Sequence, residues 1–287
     1  MDAPAEVQPT PLQRLGLPPV ARRTGLAVGE FRRRYGGPQI PVVLGDAMEN
    51  WPARTRWTLA AFKERYGTDE VLATNRHYRG RRMPLAEYLE YIEAVPWQLM
   101  GGLRADQILY LRDWVFDEKH PELLAEFHTP PHFAGDWIAG GLGRFIDQKF
   151  RWIYIGPAGA VTPWHQDLMG THAWLSQIVG RKEWLLTPPG RDPRPLAEAI
   201  QRGDDDGIRA AAAATDARHV VVGPGDIIFV PALWWHTVTS LEATLSLTVN
   251  YANASNIRLF AKPWTRMAWG RLKSKLIPGA KAPPRAK

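Results

Sequence analysis

The sequence predicts a mainly β fold, a sandwich or barrel, flanked by helices on either side. Three observations carry this. Residues 151–251 hold short β-type runs punctuated by Gly and Pro, two earlier segments have helical spacing, and an apolar stripe with helical spacing follows Asn256. With 287 residues and 45% hydrophobic content, the chain can bury one well-filled core and a smaller appended lobe.

Residues 1–40 read as a Pro- and Arg-rich N-terminal segment with no apolar stretch of signal-peptide length. A helix is predicted over 58–66, where Thr58 caps the start and Gly67 follows the end. A second is predicted over 84–94, with Pro84 in the first turn. Around 109–114 the period shortens to that of a strand, and a loop follows at 118–121. The β-type runs are 151–155, 173–179, 183–187, 219–222, 226–230 and 244–251. They are interrupted at 190–218 by a Pro-, Asp- and Ala-rich insertion, with a surface helix over 196–214 broken near 203–207. After Asn256, the residues Ile257, Phe260, Trp264, Met267, Leu272 and Leu276 form a helical stripe among Lys and Arg. That stripe is expected to pack on the parent domain or on a second copy rather than on a membrane. The resulting division is 1–40, a domain over 41–254 with its barrel core from about 109, and a basic helix and tail over 255–287.

The net charge of +7 belongs to the ends. Residues 1–40 carry six Arg against three acids, and 255–287 carry nine Lys or Arg and no acid. The middle of the chain keeps 21 basic and 26 acidic residues. Such tails mostly solvate a protein, so nucleic-acid binding stays a minor reading. Cysteine is absent, which excludes disulfides, thiolate zinc sites, iron–sulfur clusters and thiol nucleophiles. Any metal must be held by His, Asp or Glu. No run reaches the roughly 18 apolar residues of a membrane span, so a cytoplasmic location is expected.

Most of the eight histidines stand alone. His77, His120, His128, His132 and His219 are expected to be surface or hydrogen-bonded residues, and His172 falls outside the alternation that matters. His165 and Asp167 are different, because in an extended segment residues two apart share a face. Downstream, a β turn at Gly225-Asp226 feeds an apolar strand expected to end by delivering His236, after Trp234-Trp235. Two His and one carboxylate match the ligand set of non-haem iron(II) sites. Zinc suits the same donors and stays open on spacing alone. Lys182 alternates with inward-facing neighbours, and a Lys on an inward face calls for an anion.

Taken together, Arg151-Trp152, Gly156-Pro157, Thr162, His165-x-Asp167, Gly170-Thr171, Ala173-Trp174, Gly180, Lys182, Trp184 and Trp234-Trp235-His236 resemble the Jumonji-C hydroxylases. The resemblance runs from about Met83 to Tyr251 and is nearest the phosphatidylserine-receptor-like lysyl hydroxylase branch. It implies a double-stranded β-helix of the cupin or jelly-roll type, with an N-terminal helical lobe and C-terminal helices. It also implies iron(II), 2-oxoglutarate and dioxygen, with His165, Asp167 and His236 on the metal. Thr162, Lys182, Thr248 and Asn250 would hold the cosubstrate, Lys182 at its distal carboxylate. Trp164, Tyr110, Tyr154 and Trp234 are candidates for the substrate pocket. Two departures stand out. Leu175 replaces an Asn of the relatives, and Phe116 is the nearest counterpart of a Tyr. Tyr110 and Tyr154 are the candidates to replace the lost hydrogen bonds.

The reading is a 2-oxoglutarate-dependent dioxygenase that hydroxylates a C–H bond of a protein side chain or a small molecule. A non-catalytic metal-binding module and a nucleic-acid-associated adaptor are the alternatives, and the C-terminal helices are a candidate homodimer contact.

Overall fold

A computed structural model of the protein describes residues 9–100, 104–145 and 148–276. The chain opens with α1 (Pro11–Arg14), β1 (Ala21–Arg23), α2 (Val28–Phe31) and β2 (Val42–Leu44). Helices α3 (Ala53–Arg56) and α4 (Leu59–Tyr66) come next. A hairpin of β3 (Glu70–Thr74) and β4 (Gly80–Pro84) then leads into α5 (Leu85–Met100). The side chain of Thr58 accepts the Ala61 N–H and starts α4 where the sequence places it. The second expected helix begins one residue later than predicted, because Pro84 closes β4.

The sheet region follows as β5 (Leu111–Trp114), β6 (Arg151–Gly156), β7 (Val161–His165), β8 (His172–Val179) and β9 (Lys182–Thr187). The insertion forms α6 (Arg194–Arg202) and α7 (Asp205–Ala214), and its break is a local event. Gly203 takes a left-handed φ of 64° to end α6, and the Asp204 carboxylate caps α7 by accepting the Gly207 N–H. The last strands are β10 (Arg218–Val222), β11 (Ile227–Val230), β12 (Trp235–Ser240) and β13 (Thr244–Tyr251), before α8 (Ile257–Leu276).

Eleven of the strands form two sheets. One has seven strands in the order β1-β2-β11-β8-β13-β6-β5, and the other four in the order β10-β9-β12-β7. The sheets face each other, and Val43, Ala173, Leu175, Ile228 and Val230 of the first meet Trp184, Leu186, Val222 and Val238 of the second. On the far face of the seven-stranded sheet, Ile153, Ile155, Phe229, Leu247 and Tyr251 pack under the N-terminal helical lobe with Phe31, Trp57, Phe62 and Tyr88. On the far face of the four-stranded sheet, Leu185 packs against Leu196 and Ile208 of α6 and α7.

The N-terminal segment is not separate from this body. Its β1 pairs in parallel with β2 at the edge of the large sheet. The stripe on α8 does pack on the parent domain, with Phe260 fully buried against Ile138, Phe150 and Ala252. Within that stripe Leu272 is exposed. Among the described residues no helix is long and apolar enough to cross a membrane.

Candidate active site

The two-residue alternation and one irregularity build the site between the sheets. His165 ends β7 and sits opposite His236 of β12, their ring centroids 4.1 Å apart. Asp167 follows immediately, and one ligand atom from each of the three lies within 4.8 Å of the others. Each imidazole is oriented by its own backbone. His165 Nδ1 is 2.9 Å from the Pro163 carbonyl and His236 Nδ1 is 3.1 Å from the Trp234 carbonyl. A carbonyl only accepts, so each Nδ1 carries the hydrogen and each Nε2 keeps its lone pair for a metal.

The electrostatics agree with that tautomer. Burial, helped by His165, holds His236 well below its ordinary pKa and therefore neutral. Burial raises the Asp167 carboxyl, opposed by His165 and by a hydrogen bond from Asn250. Asp167 Oδ2 is shut off from solvent and has no hydrogen-bond partner among the described residues. An orphaned carboxylate oxygen beside two available imidazole nitrogens is a donor set that a divalent cation completes.

Thr162 lies three residues before His165, a spacing that regular alternation would place on opposite faces. The register shows otherwise. Thr162 is opposite Val238 and His165 opposite His236, so β7 fits one more residue than β12 between those pairs. This bulge at Pro163-Trp164 puts Thr162 and His165 on the same inner face. The Thr162 hydroxyl reaches Tyr110, whose phenol is buried and raised well above its ordinary value. The same bulge sends Trp164 outward, against the α6–α7 core around Leu185 and Leu196. Trp164 is therefore not a pocket residue, because its neighbour His165 occupies the inner face.

Lys182 is 1% exposed and has no carboxylate partner among the described residues. Its Nζ donates to Tyr110 Oη at 3.0 Å and to Ser246 Oγ. Both rings of Tyr110 and Tyr154 lie beneath the ammonium, at 5.6 and 5.7 Å. Burial pushes its pKa down to about 7. Neutral hydroxyls and aromatic faces do not balance a buried cation, whereas an incoming carboxylate would.

The final strand supplies Thr244, Ser246, Thr248 and Asn250 to the inner side, alternating with Leu245, Leu247 and Val249 on the outer core. Ser246 is the residue that motif matching overlooks. Its signal is its place two residues before Thr248. The Thr248 hydroxyl is buried and unpartnered among the described residues. Asn250, expected as a pocket residue, lies beside Asp167. Its side chain donates to Thr171 Oγ1 at 2.9 Å and hydrogen-bonds Asp167 as well, so it orients that carboxylate.

Of three other expected positions, Phe116 lies away from the inter-sheet face, while Leu175 and Trp234 lie on it. Phe116 is fully buried in the helical lobe against Trp57 and Phe127, on the far side of the large sheet. It replaces no pocket tyrosine. Tyr110 provides the phenol beside Lys182. Leu175 faces the inter-sheet core. Trp234 packs in that core as well, with its indole N–H committed to the Gln39 carbonyl at 2.9 Å. Of the remaining histidines, His120 pairs with Asp69 and His219 with Glu183. His172 is buried, its pKa pushed down to about 4 by burial, with Nδ1 accepting the Ala232 N–H.

The pattern of this chain over residues 28–256 matches the family described as cupin-like domain. The chain belongs to that cupin-like family. Among curated proteins it is similar to the bifunctional arginine demethylase and lysyl-hydroxylase psr-1 of Caenorhabditis elegans, 31% identical over 270 residues. That alignment covers 86% of this chain and 64% of the worm protein. The human 2-oxoglutarate and iron-dependent oxygenase JMJD4 is 28% identical over 266 residues, 83% of this chain and 62% of that protein. The Arabidopsis thaliana lysine-specific demethylase JMJ21 is 29% identical over 257 residues, 83% of this cupin-like chain but 26% of the plant protein. The chain thus spans from about a quarter to just under two thirds of the length of these relatives.

Proposed function

We propose that this chain is an iron(II)- and 2-oxoglutarate-dependent oxygenase that hydroxylates a C–H bond of a protein side chain. The observation that carries the reading is that the face between the two sheets holds both the His165–Asp167–His236 cluster and a buried Lys182 with no carboxylate partner among the described residues. The names of the relatives, an oxygenase, a lysyl-hydroxylase and demethylases, support the same chemistry and favour a protein substrate. The two facing sheets support a double-stranded β-helix of the jelly-roll type over the 41–254 unit, with β1 added at its edge.

Iron(II) bound there would supply the activation of dioxygen. His165 and His236 would offer Nε2 lone pairs, and Asp167 its orphaned Oδ2. Asn250 would keep Asp167 aimed inward. Lys182 would hold the distal carboxylate of 2-oxoglutarate, with Tyr110, Ser246, Thr162 and Thr248 offering hydroxyls around it. Lys182 sits near its pKa when the cavity lacks an anion. It would therefore gain a proton as the dicarboxylate enters at neutral or higher pH. The apolar inner faces contributed by Leu175, Ile228 and Trp184 would exclude water from the reacting groups.

Anaerobic titration with iron(II) and 2-oxoglutarate should produce a visible charge-transfer absorption, and admitting air should yield succinate. A protein that gives neither the absorption nor succinate does not have this activity.

A further inference from the structure

The β3–β4 hairpin is built for more than closing a turn. Residues 71–86 contain Arg76, Arg79, Arg81 and Arg82 and no acid. Arg81 and Arg82 are engaged by Glu87 and Glu70. Arg76 and Arg79, at the tip, are exposed and have no carboxylate within ion-pair reach among the described residues. Tyr78 stands between them, 67% exposed.

The tip is held rather than loose. The Asn75 side-chain oxygen accepts the N–H groups of His77 (3.0 Å) and Arg79 (3.1 Å), and Asn75 N–H donates to the Arg79 carbonyl at 2.8 Å. Tyr78 adopts a left-handed φ of 60°, which a non-glycine residue keeps only where its surroundings impose it. Here the surroundings include Arg112, whose guanidinium lies 4.8 Å from the Tyr78 ring centroid and hydrogen-bonds the carbonyls of Thr74 and Asn75.

The tip is also tied to the cavity. Thr74 and Tyr110 exchange backbone hydrogen bonds of 3.0 and 2.9 Å, so a single bridge joins the hairpin to the chain just before β5. Arg112 lies 5.4 Å from the Tyr110 ring centroid, and Tyr110 is bonded to Lys182. Tyr78, Arg112, Tyr110 and Lys182 therefore run in sequence from the surface to the buried ammonium.

We propose that the hairpin tip, through Arg76, Tyr78 and Arg79, docks an acidic stretch of polypeptide that lies beside the target residue of a protein substrate. This rests on the oxygenase reading for the word substrate, but the docking itself does not. The charge pattern favours a peptide over nucleic acid. Two uncommitted guanidiniums at one fixed point suit a short run of carboxylates, whereas a phosphate backbone is gripped by an extended row of cations. The neighbouring cations that could extend the row, Arg81 and Arg82, are already paired.

The test uses the whole chain and two probes, a fluorescent Gly-flanked hexaglutamate peptide and a single-stranded ten-nucleotide RNA, titrated at several salt concentrations. Arg76→Ala with Arg79→Ala should weaken peptide binding about tenfold and flatten its salt dependence. Arg202→Ala with Arg209→Ala, on the distant α6–α7 insertion, should leave it unchanged. Thermal melting of both variants checks folding. Absence of peptide binding, equal loss in the two double variants, or tighter binding of the RNA than of the peptide would overturn the proposal. Succinate formation by the unaltered protein is measured in parallel. Its failure would remove the oxygenase reading while leaving the peptide result to stand or fall alone.

Discussion

Leu245, Leu247, Val249 and Tyr251 are as deeply buried as the residues they alternate with, Thr244, Ser246, Thr248 and Asn250, yet the two faces of β13 do different work. The apolar set meets the helical lobe and completes its core there. The polar set faces the second sheet, where Ser246 supports Lys182, Asn250 holds Asp167 and the Thr248 hydroxyl has no partner among the described residues. Burying polar groups costs free energy unless something satisfies them. One face of the strand therefore builds the core of the fold, and the other carries the buried polar groups around the proposed site.

The comparison breaks most visibly at the metal end. Asp167→Ala should lower succinate formation by roughly a thousandfold or more with little loss of stability, because it removes a proposed metal donor whose burial is unfavourable on its own. Asn250→Ala, which loosens Asp167 without removing it, should cost about 10- to 100-fold in iron affinity. Iron titration and single-turnover succinate assays distinguish the two.

On the opposite face, Leu247→Ala should destabilise the protein by about 2–5 kcal/mol in urea unfolding. The fraction that remains folded should bind 2-oxoglutarate normally. A large loss of affinity in that fraction would mean that the two faces are not independent.

Lys182 yields a pH prediction. Its folded value of about 7 lies below the ordinary 10.5, so between those values the unfolded chain holds more protons than the folded one. Stability of the ligand-free protein should accordingly rise with pH across that window. Lys182→Met should remove this rise and be more stable near pH 6.5, on the order of 1–3 kcal/mol, while losing affinity for 2-oxoglutarate. Urea midpoints at pH 6.5 and 9.5 check both. The smallest effect is expected for Thr248→Val, near-neutral for stability and worth about 0.5–1.5 kcal/mol in 2-oxoglutarate binding by calorimetry.

Half of the candidate metal cluster was legible because its geometry is local. His165 and Asp167 are two residues apart, whereas His236 lies second in β12, one strand after the apolar strand expected to deliver it. The inward Lys182 was legible for a similar reason, since alternation in β9 leaves it no exit. Trp164 and Thr162 show where that logic stops. Their faces are set by a bulge between β7 and β12, and a bulge depends on two strands some 70 residues apart in sequence. Phe116 shows a second limit. Position before a loop suggested a pocket residue, but β5 is itself irregular between Leu111 and Trp114, and Phe116 ends among Trp57 and Phe127.

Composition, caps and short-range periodicity determined a good deal by themselves. They set the helix start at Thr58, the break near Gly203, the exclusion of thiol chemistry, and the inward parity of Lys182. Each of these depends on a residue's own backbone preference or on neighbours within one turn or one pleat. The tertiary structure alone decided that Thr162 joins His165, that Asn250 meets Asp167, that Tyr110 meets Lys182, and that the basic hairpin is linked to Tyr110 through Thr74 and Arg112. Those facts depend on strand pairing and register, which are set by the packing of distant segments and leave no mark in any one stretch of sequence.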